Sequence, residues 1–228
     1  MRILLDLFCG RWGWSKAFAA RGWRCIGVDL EKPPEIPQNC RFEQADIIGM
    51  YWSTCGFLES YCGKKYKTWK KIDAIVASPP CQEFSVHGMK HFHPNPKYPA
   101  NGIRLFEHTR ALCEAAGVPY VIENVRAAQQ FVGNAAHHCG PFYLWGNAVP
   151  PLMNQGIIKG MTHEALGFRE FKGSPNWNRK HIDSIVKFGS KSRQRKEATA
   201  ANATIPPELA NCVAEYFERI LEMSGSRA

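Results

Sequence analysis

The chain has 228 residues, of which 45% are hydrophobic and 21% are charged, and these proportions fit one globular domain with a full core. Its formal charge of +9 points to a polyanionic partner, most simply nucleic acid, although a basic surface that binds nothing would give the same excess. No apolar run is long enough to cross a membrane and no internal repeat is present, so the composition excludes a membrane-spanning helix and a repeat array.

The predicted elements alternate between strands and helices. Apolar runs stopped by glycine, proline or an acid are typical of buried parallel strands, and apolar residues at three- and four-residue spacing are typical of helices. In chain order they are a strand at 3–8, a helix at 14–22, strands at 25–29, 41–46 and 73–77, a helix at 103–116 and a strand at 120–122. This alternation predicts an α/β fold with a doubly wound, mostly parallel sheet.

A long loop is predicted between the fourth strand and the second helix. Residues 86–100 carry His87, His91 and His93, three prolines and few apolar residues. Loops of this length are often functional. We expect this one to lie beside the site formed by the residues that precede it.

Beyond residue 145 the alternating pattern weakens. The stretch 146–190 is rich in Gly, Pro, Asn and Lys, and residues 159–196 hold ten Lys or Arg against three acids. A helix starts near residue 206, as proline in a first turn allows, and its apolar face is expected to pack on the sheet. We therefore divide the chain into a main domain at 1–145, a small basic region at 146–198 and a C-terminal segment with this helix at 199–228.

The nine cysteines are an odd number, several lie in apolar runs, and no signal peptide precedes them. This usage is typical of a reduced, cytoplasmic protein. The one dense group, Cys139 with His137 and His138, lacks the four ligands of a tetrahedral zinc site. We therefore predict no metal centre.

Several residues with useful chemistry fall at the carboxyl ends of predicted strands, where doubly wound sheets bind their ligands. They are Phe8, Asp29, Asp46, Cys81 and Glu123. A thiol that attacks and a carboxyl that protonates are the parts of covalent catalysis, so Cys81 and Glu123 are the predicted catalytic pair. A buried core thiol is the alternative for Cys81, and the flanking prolines with polar Gln82 and Glu83 argue against it.

Three phrases in this order carry a family resemblance. They are Asp-Leu-Phe-x-Gly at 6–10, Pro-Pro-Cys-Gln at 79–82 followed by Phe-Ser at 84–85, and Glu-Asn-Val at 123–125. With them the chain resembles the DNA cytosine-5 methyltransferases, most of all the compact versions found in phages and mobile elements. The resemblance covers residues 1–145 and about 199–217. It implies the Rossmann-like fold of S-adenosylmethionine-dependent methyltransferases and a role in restriction–modification or phage defence.

The resemblance also implies the cofactor, the partner and the setting. S-adenosylmethionine is the implied cofactor and DNA the implied partner of a monomer in the cytoplasm of a bacterial or phage-infected cell. Phe8 would lie on the adenine, Gly10 near the methionine part, Asp29 on the ribose hydroxyls and Asp46 on the adenine amine. The remaining implied contacts are Leu30, Ile47 and Pro79 along the adenosine pocket and Asn202 at the methionine end. Taken singly, each has a structural alternative as a core residue or a helix cap.

The chemistry implied by the resemblance begins with Cys81, activated by its surroundings, adding to carbon 6 of cytosine. Glu123 would hydrogen-bond ring nitrogen 3 and the exocyclic amine while carbon 5 takes the methyl group. The target base must leave the duplex, and the loop at 83–100 would close over it, with Ser85 near the phosphate or the cofactor. The base that removes the carbon 5 proton stays open.

The opening phrase departs from the family, because Arg11 and Trp12 stand where small residues are usual. In one interpretation Arg11 points to solvent and Trp12 packs on the helix. In the other both residues contact the cofactor, and Arg11 binds an extra carboxylate on carboxy-S-adenosylmethionine. The protein would then transfer a carboxymethyl group to give carboxymethylcytosine.

Two further departures concern DNA contacts. The family's arginine phrase that holds cytosine oxygen 2 is missing after Glu123, and Arg126, Arg193 or Arg195 could replace it. The small basic region offers Lys191, Arg193 and Arg195 for phosphates, which predicts a short or relaxed target sequence. An RNA-modifying enzyme and an inactive nucleic-acid-binding relative remain alternatives.

Overall fold

The computed structural model describes residues 1–52, 58–60, 72–88, 93–151 and 204–225. Nine strands lie in these ranges: β1 (Ile3–Leu7), β2 (Arg24–Asp29), β3 (Cys40–Gln44), β4 (Met50–Trp52), β5 (Leu58–Ser60), β6 (Ala74–Ala77), β7 (Tyr120–Asn124), β8 (His137–Cys139) and β9 (Phe142–Trp145). Five α-helices lie there as well: α1 (Gly13–Ala20), α2 (Gln82–Gly88), α3 (Ala100–Ala116), α4 (Gln129–Val132) and α5 (Pro207–Gly225). Two single-turn 3₁₀ helices span Ile47–Gly49 and Arg126–Ala128.

Seven of the strands form one sheet in the order β3-β2-β1-β6-β7-β9-β8, and β4 and β5 form a separate antiparallel pair. Neighbours from β3 to β7 are parallel, whereas β9 runs antiparallel to both β7 and β8. The chain moves outward from β1 to β3 in one direction and from β6 to β7 in the other. The order therefore reverses between β1 and β6, which is where such sheets open a ligand crevice. The predicted doubly wound, mostly parallel sheet is confirmed.

The core lies on both faces of the sheet because successive strand side chains point in opposite directions. On β1, Leu4 belongs to a cluster with Phe18 of α1 and Phe217 of α5, while Leu5 belongs to a second cluster with Phe106 of α3. All of these side chains are fully buried. The C-terminal helix thus packs against α1 and the sheet, as its apolar face indicates.

One prediction about local structure is wrong. The segment after Cys81 begins as helix α2 and not as a loop, so residues 86–88 are helical. The helix forms because Gln82 and Glu83 are good helix formers in a first turn that follows two prolines. Residues 93–99 are irregular, as predicted. The hairpin of β8 and β9 has no clear alternating pattern in its sequence and was not predicted.

No helix in the described ranges is long and apolar enough to cross a membrane. Four predicted contact residues, Asn202, Lys191, Arg193 and Arg195, lie outside the described residues.

Candidate active site

Cys81 and Glu123 follow neighbouring parallel strands. Ala77, the last residue of β6, is in register with Ile122 of β7, so residues 78–81 leave the sheet directly beside Glu123. Both side chains are partly buried. The sheet therefore brings the two predicted catalytic groups to the same edge, at the strand ends next to the reversal of strand order.

Asn124 holds the turn that presents the thiol. Its side-chain amide donates to the carbonyl oxygen of Pro79 at 2.9 Å, and its side-chain oxygen accepts from the Val125 N–H at 2.9 Å. The residue is completely buried, so both bonds form away from water. A buried amide with both its groups paired is a rigid tie, and it fixes the Pro79–Pro80 turn relative to β7.

Cys81 stands at the start of α2, where its carbonyl oxygen accepts the Ser85 N–H at 2.9 Å. Burial, and then the negative charge of Glu123, raise the pKa of the Cys81 thiol, while a hydrogen bond from the Ser85 hydroxyl opposes the rise. The thiolate is therefore not the resting form of the free protein, contrary to the expectation of a thiol activated by its surroundings. Ser85, predicted near phosphate or cofactor, lies one helical turn beyond Cys81.

Glu123 is an acid with an unusual proton affinity. Burial raises the pKa of Glu123 to about 7, and a hydrogen bond from the Ser78 side chain partly counters the rise. The Ser78 oxygen in turn accepts the indole N–H of Trp14 at 3.0 Å. A carboxyl group with a pKa near neutrality suits general acid catalysis, because it is protonated in a large fraction of molecules and still gives its proton up readily.

Helix α2 is tied to the helix that follows it. Glu83 accepts the Gly102 N–H at 2.8 Å and lies 3.4 Å from the Asn101 amide, and so caps the first turn of α3. The N-terminal turn of a helix has unpaired N–H groups, and a carboxylate satisfies them well. Glu83 therefore fixes the orientation of the helix that starts beside Cys81.

The loop after β1 has unusual backbone geometry. Phe8, Gly10 and Trp12 all have φ between 47° and 63°, in the left-handed region. Such a conformation costs a residue with a side chain on the order of 1–3 kcal/mol, and it persists only where the surroundings enforce it. The N–H of Gly10 donates to the Asp29 carboxylate at 3.0 Å, which ties this loop to the end of β2. Strain of this kind clusters at ligand sites.

The predicted adenosine contacts lie along the same sheet edge. Asp29 also accepts the Leu30 N–H at 2.7 Å, and the Leu30 side chain next to it is 62% exposed. Asp46 caps the 3₁₀ turn by accepting the Ile48 N–H at 3.0 Å, and its own side chain is exposed. Ile47 and Pro79 are buried, so either one could contact a ligand only as part of a pocket wall.

Arg11 and Trp12 differ sharply. Trp12 is 2% exposed: its indole N–H donates to the Glu35 carbonyl oxygen at 2.9 Å, and its ring covers Gly27 so closely that a Cβ there would overlap it. Arg11 is exposed and makes no hydrogen bond or ion pair with the residues that the structure describes. Trp12 is thus a packing residue beneath the loop, and Arg11 is the one that a ligand can reach.

A second buried acid lies under the loop. Asp6 of β1 is completely buried, with one oxygen accepting the Ser15 hydroxyl at 2.6 Å and the other without a partner. Burial raises the pKa of Asp6 to about 7. The group is therefore substantially protonated at neutral pH, which limits the cost of the unpaired oxygen.

A profile of C-5 cytosine-specific DNA methylases matches residues 3–136, which is more than half of the chain. The chain belongs to this family. All of the described catalytic and cofactor candidates discussed above lie within the matched range. For this family member, the sheet edge between β1 and β6 is the candidate active site.

Two methyltransferases of known structure are similar to parts of the methylase chain. The glycopeptide N-methyltransferase MtfA matches at 15% identity with a TM-score of 0.29, covering 54% of this chain and 46% of MtfA. The antibiotic-resistance methyltransferase Kmr matches at 17% identity with a TM-score of 0.29, covering 55% of this chain and 59% of Kmr. The match thus spans only about half the length of these proteins. A comparison with curated proteins gives no significant match.

Sequence reasoning missed three residues of the methylase site. Trp14 is bonded to Ser78, and Asn124 is bonded to Pro79, at the strand ends that carry the predicted catalytic pair. Asn124 stands inside the Glu-Asn-Val phrase and Ser78 directly precedes the prolines, so position in the motifs was an available signal. Trp14 lies 64 residues from Ser78 in sequence, and no local pattern indicates that contact.

Proposed function

We propose that the protein transfers a methyl group from S-adenosylmethionine to carbon 5 of cytosine in DNA. The observation that carries this proposal is the pairing of a presented thiol, Cys81, with a proton-donating carboxyl, Glu123, at adjacent strand ends of a C-5 cytosine methylase family member. Cytosine carbon 5 becomes nucleophilic only when a group adds at carbon 6, and a thiolate is well suited to that addition.

The loop geometry fits a cofactor of this kind. Gly10 in a left-handed conformation leaves the backbone open to close approach, and Asp29 and exposed Leu30 offer a carboxylate and an apolar surface side by side. Phe8, Asp46, Ile47 and Pro79 lie along the same edge and would complete the adenosine wall, with Asn202 proposed at the methionine end. When bound, S-adenosylmethionine supplies an electrophilic methyl group.

Cys81 and Glu123 work as a coupled pair in this proposal. The Cys81 thiol gives its proton to water and its sulfur bonds to carbon 6. The electron pair displaced through the ring takes the proton of Glu123 at ring nitrogen 3. Because the negative charge of Glu123 raises the pKa of the Cys81 thiol, a protonated Glu123 makes the thiolate easier to form. Protonation of Glu123 thus removes one of the two causes of the raised thiol pKa, while burial, the larger cause, remains.

The remaining steps restore the ring. Once carbon 5 carries the methyl group, a base takes its proton, and the electron pair left behind forms the double bond to carbon 6 as the Cys81 thiolate leaves. Ring nitrogen 3 returns its proton to Glu123. The target base must be turned out of the duplex to reach both strand ends. Helix α2 begins at the thiol, so Ser85 and the rest of this helix up to Gly88 would border the flipped base. Lys191, Arg193 and Arg195 are proposed to contact phosphates.

Trapping tests the covalent step. A duplex that carries 5-fluorocytosine and S-adenosylmethionine should give a denaturant-resistant protein–DNA adduct, because fluorine cannot leave carbon 5 as a proton does. Cys81→Ala should abolish the adduct, and the matched control Cys212→Ala, on the remote helix α5, should retain it. Adduct formation by Cys81→Ala, or none by the wild-type protein, contradicts the mechanism. DNA binding without an adduct would indicate an inactive binding relative, and an adduct with RNA alone would redirect the substrate.

Arg11 supports a second donor, carboxy-S-adenosylmethionine. The guanidinium is exposed beside Gly10 and unpaired among the described residues, so it is available for an additional carboxylate. Mass spectrometry of DNA treated with each donor separately decides between them. A gain of one methyl group with the ordinary cofactor supports the main proposal, whereas modification only with the carboxylated donor supports the alternative.

A further inference from the structure

We propose that Cys25 and Cys40 are an oxidation site, where a peroxide converts the two thiols into a reversible disulfide. Cys40 is the attacking thiol and Cys25 is the resolving thiol. Both cysteines lie away from the predicted catalytic pair, at the amino ends of β2 and β3. The inference goes beyond the proposed function and does not depend on it, because neither thiol takes part in methyl transfer.

The register of the sheet places the two residues side by side. Cys25 and Cys40 are Cα partners in the parallel pair of β2 and β3. Neighbouring strands lie about 4.8 Å apart, and a disulfide needs about 4.4–6.8 Å between its Cα atoms. The Cys25 N–H donates to the Asn39 carbonyl oxygen at 2.9 Å, which holds the residue before Cys40 directly against β2. The backbone therefore already has the spacing that a disulfide requires.

The two side chains lie on one face of the sheet. Cys25 and Cys40 both pack in the cluster that is shared with helices α1 and α5. Ile26, the next residue of β2, packs in the cluster on the opposite face. This is the alternation that a strand imposes, so the two thiols project to the same side of adjacent strands. A disulfide brings its Cβ atoms to about 3.5–4.5 Å, which from this arrangement requires only a small inward shift.

Cys40 is the residue that can shift and that a reagent can reach. It is the first residue of β3, an edge strand of the seven-stranded sheet, so within the sheet only β2 holds it from the side. Its side chain is partly exposed, whereas Cys25 is 0% exposed and its thiol donates to the Ser15 carbonyl oxygen at 3.5 Å. A peroxide in solution therefore meets Cys40 first, because susceptibility to oxidation follows exposure.

The reaction balances with hydrogen peroxide as the oxidant. The Cys40 sulfur, after its proton passes to water, attacks one peroxide oxygen, the O–O bond breaks, and the hydroxide that leaves is protonated to water. The Cys25 sulfur then attacks the sulfur of the Cys40 sulfenic acid, the S–O bond breaks, and the leaving hydroxyl takes the Cys25 proton as a second water. Two thiols thus lose two electrons, and the peroxide is reduced. Closure of the disulfide prevents further, irreversible oxidation of Cys40 to the sulfinic acid.

Cys9 is the competitor for this pairing. Its sulfur lies over Gly27, two residues further along β2, where an added Cβ would come within 2.8 Å of it. Gly27 is on the same face of β2 as Cys25, so Cys9 approaches the pair from the next position along the strand. Cys9 is 4% exposed and has no register partner in the sheet, which favours Cys40 as the thiol that reacts.

Peptide mapping of the full chain tests the pairing. The protein is treated with hydrogen peroxide, its remaining thiols are blocked with N-ethylmaleimide, and it is digested with trypsin. Cleavage after Arg24 and Arg41 releases residues 25–41 as one peptide, because Lys32 precedes a proline. We expect this peptide to lose two hydrogens and to carry no blocked thiol. A second digestion after glutamate should leave its pieces joined until dithiothreitol separates them.

Three variants assign the roles of the thiols. Cys40→Ala should leave the buried Cys25 unoxidised and without a link. Cys25→Ala should leave Cys40 without a resolving partner, so the 25–41 peptide should first react with dimedone as a sulfenic acid and then gain two oxygens as a sulfinic acid. The matched control Cys9→Ala should form the disulfide in wild-type yield.

The outcomes decide the inference without reference to methyl transfer. An unoxidised 25–41 peptide, at a peroxide dose that oxidises glutathione in a parallel sample, contradicts it, and so does a link from Cys9 to either residue. Equal yields of the disulfide in native and urea-unfolded protein would also refute it, because the strand register would then play no part. A protein that forms the disulfide but modifies no cytosine contradicts the proposed function alone.

Discussion

The two sides of the crevice between β1 and β6 are built differently. On the β6–β7 side, the bonds from Trp14 to Ser78 and from Asn124 to Pro79 are already complete without any ligand. On the β1–β2 side, Leu30 and Arg11 are exposed and the loop between strand and helix is in a strained conformation. The turn that leads to Cys81 is thus held by the protein itself, whereas the β1–β2 side keeps exposed side chains that a ligand could cover.

The largest expected effect is a loss of methyl transfer when the Cys81 thiol is replaced, with the cofactor side unchanged. Cys81→Ser should reduce methyl transfer by about 10³-fold or more, because a hydroxyl is a far weaker nucleophile than a thiolate at neutral pH. The bonds that hold the turn, from Asn124 to Pro79 and from the Ser85 N–H to the Cys81 carbonyl oxygen, do not involve the sulfur. Cofactor affinity measured by calorimetry and the unfolding temperature should therefore stay close to wild type. A parallel loss of cofactor affinity would show that the two sides are not separate.

The next largest expected effect is a loss of cofactor affinity when Asp29 is replaced. Asp29→Asn replaces a carboxylate that accepts the N–H groups of Gly10 and Leu30, and it should weaken S-adenosylmethionine binding by about tenfold. The matched control is Asp73→Asn, since Asp73 accepts the Ile3 N–H at 2.7 Å at the opposite edge of the sheet. Calorimetry should show a change in affinity for the first variant only, and equal losses would refute the assignment of Asp29.

Asp6 provides a test that involves stability and no ligand. Its pKa is about 7 in the folded protein and about 4 in an unfolded chain, so the unfolded state releases this proton first as the pH rises. Stability from this group is therefore complete below pH 4 and is lost as the pH rises toward 7. Glu123, also raised to about 7, contributes in the same direction.

Asp6→Asn isolates that contribution. Urea unfolding at pH 5 and pH 8 should show that wild type loses more free energy of unfolding between the two pH values than the variant, by at least about 1 kcal/mol. Only the difference in pH dependence between wild type and variant reports on Asp6, because other groups titrate in both proteins. An identical pH dependence would mean that Asp6 is not the buried acid that the unpaired oxygen indicates.

The parts of this site that were predictable are those with local signals. The strand ends that carry Cys81 and Glu123 follow from short apolar runs stopped by polar or proline residues, and these runs survive tertiary packing because they are buried on both faces. Helix α2 was missed because its seven residues hold too few apolar positions to show a helical period, although Glu83 makes a capping bond that only the folded chain reveals.

The hydrogen bonds that the sequence did not predict join residues that are far apart along the chain. The bond between Trp14 and Ser78 spans 64 residues, and that between Asn124 and Pro79 spans 45. Each depends on which strands become neighbours, and the order β1-β6-β7 is set by packing over the whole sheet. The pKa of Cys81 was misjudged for the same reason: the sequence led us to expect a thiol activated by its surroundings, but burial and the nearby Glu123 raise its pKa.

The smallest effect sharpens the comparison at Arg11. Because the side chain is exposed and unpaired among the described residues, Arg11→Ala should leave the unfolding free energy within about 0.5 kcal/mol of wild type. If Arg11 contacts the carboxylate end of the cofactor from solvent, the loss in S-adenosylmethionine affinity should be about two- to fivefold, as for an exposed ion pair, and it should diminish at high salt. Lys16→Ala, an exposed cation on the adjacent helix, is the control. Equal affinities for both variants would place Arg11 outside the cofactor site and remove the main reason to consider a carboxylated donor.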